Sequence, residues 1–170
     1  ITLQTSDLTV AGLLTVAASD TLSIASGITL SNTNASDVAG TGTISGAGTL
    51  RFSSTSGGPG TTITTLSSIV RFDASSGNIA TTTLDVRTYG GRVEFYSSST
   101  TARTATFAAG TYTISGASSH LYVIADGASP GDLTLVGATN NPTVNVGGSV
   151  DYTGVGTSSE VITSGTGTWT

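Results

Sequence analysis

Cysteine and lysine are both missing from this 170-residue chain, histidine and tryptophan occur once each, and only 9% of the residues are charged. Without cysteine, neither disulfides nor thiolate metal ligands are available, so stability has to come from burial and backbone pairing. With five arginines as its basic groups, a net charge of −5 and a pI near 4.3, the chain lacks the footprint that neutralises phosphates. That argues against nucleic acid as a partner and against anionic membrane surfaces. No apolar run approaches the roughly 20 residues of a membrane-spanning helix, so no membrane insertion is expected. No charge run or proline-rich break divides the chain, which predicts a single domain over residues 1–170. No signal peptide stands at the start, and residue 1 is isoleucine. The expectation is either a processed mature protein or a segment of a longer one.

What the chain does have is glycine (23 residues), many serines and threonines, and 36% hydrophobic residues placed at regular intervals. The regular placement decides for order over disorder. Helical spacing is absent: glycine, serine and threonine interrupt every stretch. Alternation recurs instead, in Leu8-Thr9-Val10, Leu22-Ser23-Ile24, Ile28-Thr29-Leu30, Leu84-Asp85-Val86, Val93-Glu94-Phe95, Leu133-Thr134-Leu135 and Val144-Asn145-Val146. Each reads as a half-buried strand.

The stretch from Thr41 to Phe52, TGTISGAGTLRF, sets the unit: two short strands joined by the small-residue corner Ser45-Gly46-Ala47-Gly48, against which a neighbouring copy can lie. LRFSSTSGG from Leu50, VRFDASSGN from Val70 and VEFYSSSTT from Val93 repeat part of it. Two apolar columns result. One runs Ile24, Ile44, Leu66, Val86, Phe107, Ile124, Val146, Ile162; the other runs Val10, Leu30, Phe52, Phe72, Phe95, Ile114, Leu135, Tyr152. Such a period means stacking of like units, with equivalent strands parallel. The reading is an all-β, parallel β-solenoid (β-helix) of about eight coils of about 20 residues, roughly 40 Å tall at the ~4.8 Å strand spacing. Phe52, Phe72 and Phe95 form an inward ladder facing Ile44, Leu66, Val86 and Phe107; Arg51, Arg71 and Glu94 form an outward row; Val16, Val38 and Ile79 belong to a third face. An antiparallel sandwich is the rival, but it has no reason to repeat with Phe above Phe.

With GTGTISGAGTLRF and its repeats laid out, the chain resembles the β-helical passenger repeats of autotransporter and filamentous-haemagglutinin-type adhesins. The resemblance implies an extracellular, cell-surface or secreted protein working in adhesion or self-association, and it carries over no catalytic residue. Viral tail fibres and ice-binding solenoids have similar text.

The eight Asp and two Glu are scattered, not gathered for calcium or acid–base work. Arg71-Phe72-Asp73, Asp85-Val86-Arg87 and Arg92-Val93-Glu94 read as solvated pairs flanking an inward residue, with Arg71 and Glu94 helping to fix register. His120 stands beside Ser118 and Ser119 without a local motif that would activate them. Asn34-Ala35-Ser36 is a glycosylation sequon that also reads as a polar turn. No enzyme activity, cofactor or metal is expected.

Three binding surfaces remain. Outward Thr-x-Thr or Thr-x-Ser pairs suggest a threonine face of Thr21, Thr41, Thr43, Thr104, Thr106 and Thr143, with Thr83-Leu84-Asp85 between, able to order water and bind ice. Tyr89, Tyr96 and Tyr122 are the stacking candidates for cell-surface glycans. The strand-like ends carry no cap. Ile1, Leu3, Leu8 and Val10 at one end, and Val161, Ile162 and Trp169 (placed in the Phe column after Tyr152) at the other, predict a head-to-tail homopolymer.

Overall fold

A computed structural model describes residues 1–81, 83–115, 120–126, 131–154 and 159–170. Among these the regular structure is strand throughout, and every strand pairing is parallel. The chain is an all-β parallel β-solenoid.

One side is a long sheet of seven strands: Leu8–Val10, Thr29–Asn32, Thr49–Ser53, Ile69–Asp73, Val93–Ser97, Leu121–Ala125 and Val150–Gly154. Leu8, Leu30, Leu50, Val70, Val93, Leu121 and Val150 share one register. The circuits up to Val93 keep close to the step from Leu30 to Leu50, whereas those from Val93 to Leu121 and from Leu121 to Val150 are distinctly longer. Among the described residues, seven strands stack on this side and eight on the flanking one, the later circuits being longer than the founding unit.

The flanking side stacks Thr2–Leu3, Thr21–Ile24, Thr43–Ser45 and Thr65–Leu66. It continues through Thr88–Tyr89, Thr111–Ile114, Thr143–Val146 and Thr168–Trp169, linked where the Gly90 N–H donates to the Leu66 carbonyl (2.8 Å). The third side begins as loops with single bridges, Thr15 to Ala39 and Ile79 to Ala105. It becomes a sheet only with Arg103–Thr106, Leu133–Val136 and Glu160–Thr163. Val16, Val38 and Ile79 are buried on it, as expected.

The corner of the founding unit explains the close stacking. Gly46 has φ +102°, and a Cβ there would lie 2.2 Å from the Ile24 carbonyl oxygen; one at Gly48 would lie 2.3 Å from that of Ala25. Only glycine lets the two coils approach so closely.

Phe52, Phe72 and Phe95 stack as anticipated, with ring centroids 6.0 and 5.3 Å apart and planes within 25°. Their column, however, is Val10, Asn32, Phe52, Phe72, Phe95, Val123, Tyr152. Leu30 sits two residues earlier in its strand than Asn32, beside Leu8 and Leu50, while Ile114 and Leu135 belong to the other two sides.

The other proposed column mixes three sides. Leu22, not Ile24, pairs with Ile44. Leu84-Asp85-Val86 is a loop rather than a strand; Val86 is 36% exposed and Tyr89 takes its place in the core. Phe107 is buried at the end of a third-side strand, against Phe95 (5.5 Å). Ile124 faces outward between Tyr96 and Thr153. Trp169 lies above Val144 on the flanking side, outside the Phe column, with its ring edge-on to Phe107 (5.3 Å).

Candidate functional surfaces

On the outer face of the long sheet, register brings Thr9, Ser31, Arg51, Arg71, Glu94, Tyr122 and Asp151 into one row. Each arginine reaches one coil onward. Arg51 donates from Nε to Asp73 (2.8 Å), with Nη2 also close (2.7 Å). Arg71 donates from Nε to Glu94 (2.6 Å), whose other oxygen is taken by Arg92. Arg71 thus pairs with Glu94 and not with Asp73, two residues along its own strand. Glu94 is 1% exposed, so the guanidinium groups form the outer layer and the carboxylates an inner one. Arg71 lies over the Tyr96 ring and Arg92 over the Tyr122 ring, both at 4.9 Å.

The glycan candidates therefore divide. Tyr96 and Tyr122 stand half-buried on this outer face. Tyr89 is core: its hydroxyl donates to the Asp85 carbonyl (2.8 Å), and burial pushes its pKa well up. Asp85 and Arg87 are braces. Asp85 accepts the Gly60 N–H (2.7 Å), and its carboxyl is raised above the usual range by burial; Arg87 donates to the carbonyls of Gly60 and Ile63.

His120 has neighbours that its sequence context did not show. Its Nδ1 is 2.6 Å from Ser149 Oγ, and that hydroxyl donates to Asp151 (2.6 Å). A nucleophilic triad needs serine and carboxylate on opposite imidazole nitrogens. Here both lie at Nδ1, with Asp151 at 3.5 Å, so serine bridges the other two and gains no base. Ser118 and Ser119 lie outside the described residues. Asn34 Oδ1 accepts from the Ser36 N–H (2.7 Å), which is the turn reading of that sequon, and its Nδ2 donates to the Ala11 carbonyl of the neighbouring coil (3.0 Å).

The threonine candidates do not share one surface. Thr21 and Thr43 stack on the flanking side, Thr143 lies further along it, Thr41 is in the bend before its strand, and Thr104 and Thr106 are on the third side. Thr83 is buried, its hydroxyl donating to the Ser56 carbonyl (2.8 Å). The ladder present instead is Thr21, Thr43, Thr65, then Thr88, Thr113, Asn145, beside a serine row that begins Ser23 and Ser45. Its text is the recurring Thr-Leu-Ser, Thr-Ile-Ser, Thr-Leu-Ser, Thr-Ile-Ser at 21, 43, 65 and 113. That signal is readable once the steps are allowed to lengthen.

At the ends, Ile1 (96%) and Leu8 (47%) are exposed, while Leu3 and Val10 pack partly against the core. At the other end Ile162 and Trp169 join Val144, Val146, Val150 and Tyr152 around a groove of about 320 Å³. Val161 pairs with outward Thr134 and lies off that groove. Val150 was not singled out from the sequence, and Tyr152 only as a member of the Phe column, where the register keeps it.

The chain matches no described protein family, no curated protein and no solved structure.

Proposed function

We propose that this chain is a structural, self-associating β-solenoid segment of a secreted or surface-displayed fibre or adhesin, without catalysis of its own, built to stack further coils on its two end faces. The observation that carries the reading is the state of the outermost rungs. Among the described residues, Leu8–Val10 and Thr2–Leu3 have strand partners on one side only, as do Val150–Gly154, Glu160–Thr163 and Thr168–Trp169 at the other end. Those rungs also present Leu8 at one end and Val150 and Tyr152 at the other. Unpaired backbone edges around an apolar cross-section are a template for another strand layer. The two faces are unlike, so their mutual contact is head to tail and does not close. The same surfaces serve whether the next coil belongs to the same polypeptide or to a second molecule.

Sedimentation and negative-stain microscopy of the purified 170-residue chain test this reading. Concentration-dependent rods that are lost in Trp169→Asp and on deletion of residues 1–5 are expected; monodisperse monomers at high concentration overturn self-association.

A second reading rests on the hydroxyl ladder. The Thr21, Thr43, Thr65, Thr88, Thr113, Asn145 row carries no charged side chain, and it repeats at the strand spacing of about 4.8 Å, a fixed grid suited to ordering water into ice. Thermal hysteresis and ice recrystallisation assays decide it, and inactivity at high protein concentration removes it.

A further inference from the structure

We propose that the outer face of the long sheet binds a neutral, extended oligosaccharide in the groove that runs from Arg51 to Tyr96. This groove, of about 340 Å³, is lined by Arg51, Arg71, Asp73, Ser75, Tyr96 and Ser98, and at its far end by Asp7 and Thr29. It lies along a side of the solenoid, so it is independent of the stacking faces.

Three features of its construction select the ligand. The first is rigidity. Arg51 and Arg71 stand opposite one another in register, and each is anchored at Nε to a carboxylate of the following coil. Anchoring through Nε fixes the guanidinium plane; Arg51 also spends Nη2 on its carboxylate (2.7 Å), so it is Nη1 that is directed away and can donate to hydroxyl oxygens. The hydroxyls are ordered too: Ser98 donates from Oγ and from its backbone N–H to Ser75 Oγ (2.9 Å each), and the Ser75 N–H donates to Asp73 (2.8 Å).

The second is charge. Three arginines, Arg51, Arg71 and Arg92, stand against the buried carboxylates of Asp73 and Glu94 and, at the far end of the groove, that of Asp7, so the charges balance. A phosphorylated or sulfated polymer needs many unpaired cations along its length, and here the cations are already engaged. A neutral polyhydroxyl chain needs dense donors and acceptors without net field, which is what the paired cluster supplies.

The third is shape. Tyr96 and the Arg71 guanidinium lying over it offer flat surface of the kind on which the C–H face of a sugar ring stacks. The lining residues come from five successive strands, from Asp7 beside the first to Ser98 beside the fifth. At the strand spacing that is a track of about 19 Å, suited to an oligomer rather than a single sugar.

The test begins with the intact chain on an array of neutral plant, fungal and bacterial oligosaccharides, with heparin-derived sulfated fragments alongside, followed by calorimetric titration with the best neutral binder. Ser98→Trp fills the groove from an exposed position without touching an ion pair, Tyr96→Ala removes the platform, and Thr65→Ala on the flanking side is the control. Binding to a neutral oligosaccharide, weakened about tenfold or more by Ser98→Trp and Tyr96→Ala and unchanged in Thr65→Ala, is expected. If Tyr96→Ala fails to fold, Ser98→Trp carries the test. Absence of any neutral ligand, preference for the sulfated fragments, or affinity indifferent to Ser98→Trp overturns the proposal. The groove lies off the stacking faces, so these outcomes are separate from the association state.

Discussion

The narrow coils before Val93 and the wide coils after it solve one packing problem in two ways. A short circuit encloses little space, and the chain fills it with a single file of stacked rings and aliphatic neighbours, Phe52 and Phe72 between Leu50, Ile44 and Leu66. Its corners have to be glycine because the coils touch there. When the circuit lengthens, from Val93 to Leu121 and again to Val150, the third side becomes a sheet and the interior broadens. Rings then meet edge to face: Phe107 contacts Tyr112 (5.0 Å) and Trp169 (5.3 Å) as well as Phe95. Tyrosine brings a hydroxyl inside, and Tyr112 satisfies it by donating to Leu84 (3.1 Å) and accepting from the Ala108 N–H (3.0 Å). Circumference therefore sets how many rings meet inside a coil, while a buried tyrosine hydroxyl is met in both halves, at Tyr89 in the narrow one and at Tyr112 in the wide one.

Removing the ring at the centre of the wide half is the strongest way to break this contrast. Phe107→Ala should cost about 3 to 5 kcal/mol in urea unfolding, as should Phe72→Ala in the narrow half. A loss below about 1 kcal/mol for Phe107→Ala would mean that the wide coils do not depend on their rings. Next in size is the corner. Gly46→Ala forces a side chain onto the Ile24 carbonyl at positive φ and should cost about 1 to 3 kcal/mol, whereas Gly12→Ala, with nothing near its Cβ, should change stability by less than about 0.5 kcal/mol. Tyr112→Phe, which leaves the Leu84 carbonyl and the Ala108 N–H without their partner, should cost about 1 to 2 kcal/mol by the same unfolding measurement.

The smallest effect is a pH dependence at the junction of the two halves. Burial raises the Asp85 carboxyl, so the folded state holds this proton longer than the unfolded chain does. Its contribution to stability is greatest below the ordinary carboxyl range and falls as pH rises through the raised folded value. Asp85→Asn can still accept from Gly60 and removes that slope. The variant should gain on the wild type as pH rises above the ordinary carboxyl range in paired denaturation curves, and a constant difference would refute the assignment.

The same contrast explains what could be read from the sequence. The phenylalanine file was legible because Phe52 to Phe72 repeats the step from Leu30 to Leu50, and Phe95 follows after a step only slightly longer. Beyond Val93 a fixed period fails: the third-side strand at Arg103–Thr106 inserts a segment that a constant ruler assigns to the flanking side, which is how Phe107 and Ile124 entered the wrong column. The threonine face suffered the same slip, since Thr104 and Thr106 have the right text on another side. The Arg71 to Glu94 pairing was readable from register, but the burial of Glu94 beneath two guanidinium groups was not, because it depends on which way long side chains lean. The His120, Ser149, Asp151 chain joins neighbouring wide coils, a separation in sequence that no local motif reveals.

Parallel stacking in one register also governs how the chain acquires its structure. Each inner strand of the long sheet pairs with strands one circuit before and one circuit after it, so the separation along the chain never collapses to a hairpin and never spans the molecule. Contact order is therefore intermediate, and each finished coil is a template on which the next closes a loop of a single circuit. Such a chain can be laid down progressively as it emerges from a ribosome or a translocation pore, with the narrow, rapidly closing coils first and the slower wide ones added onto a surface already in place.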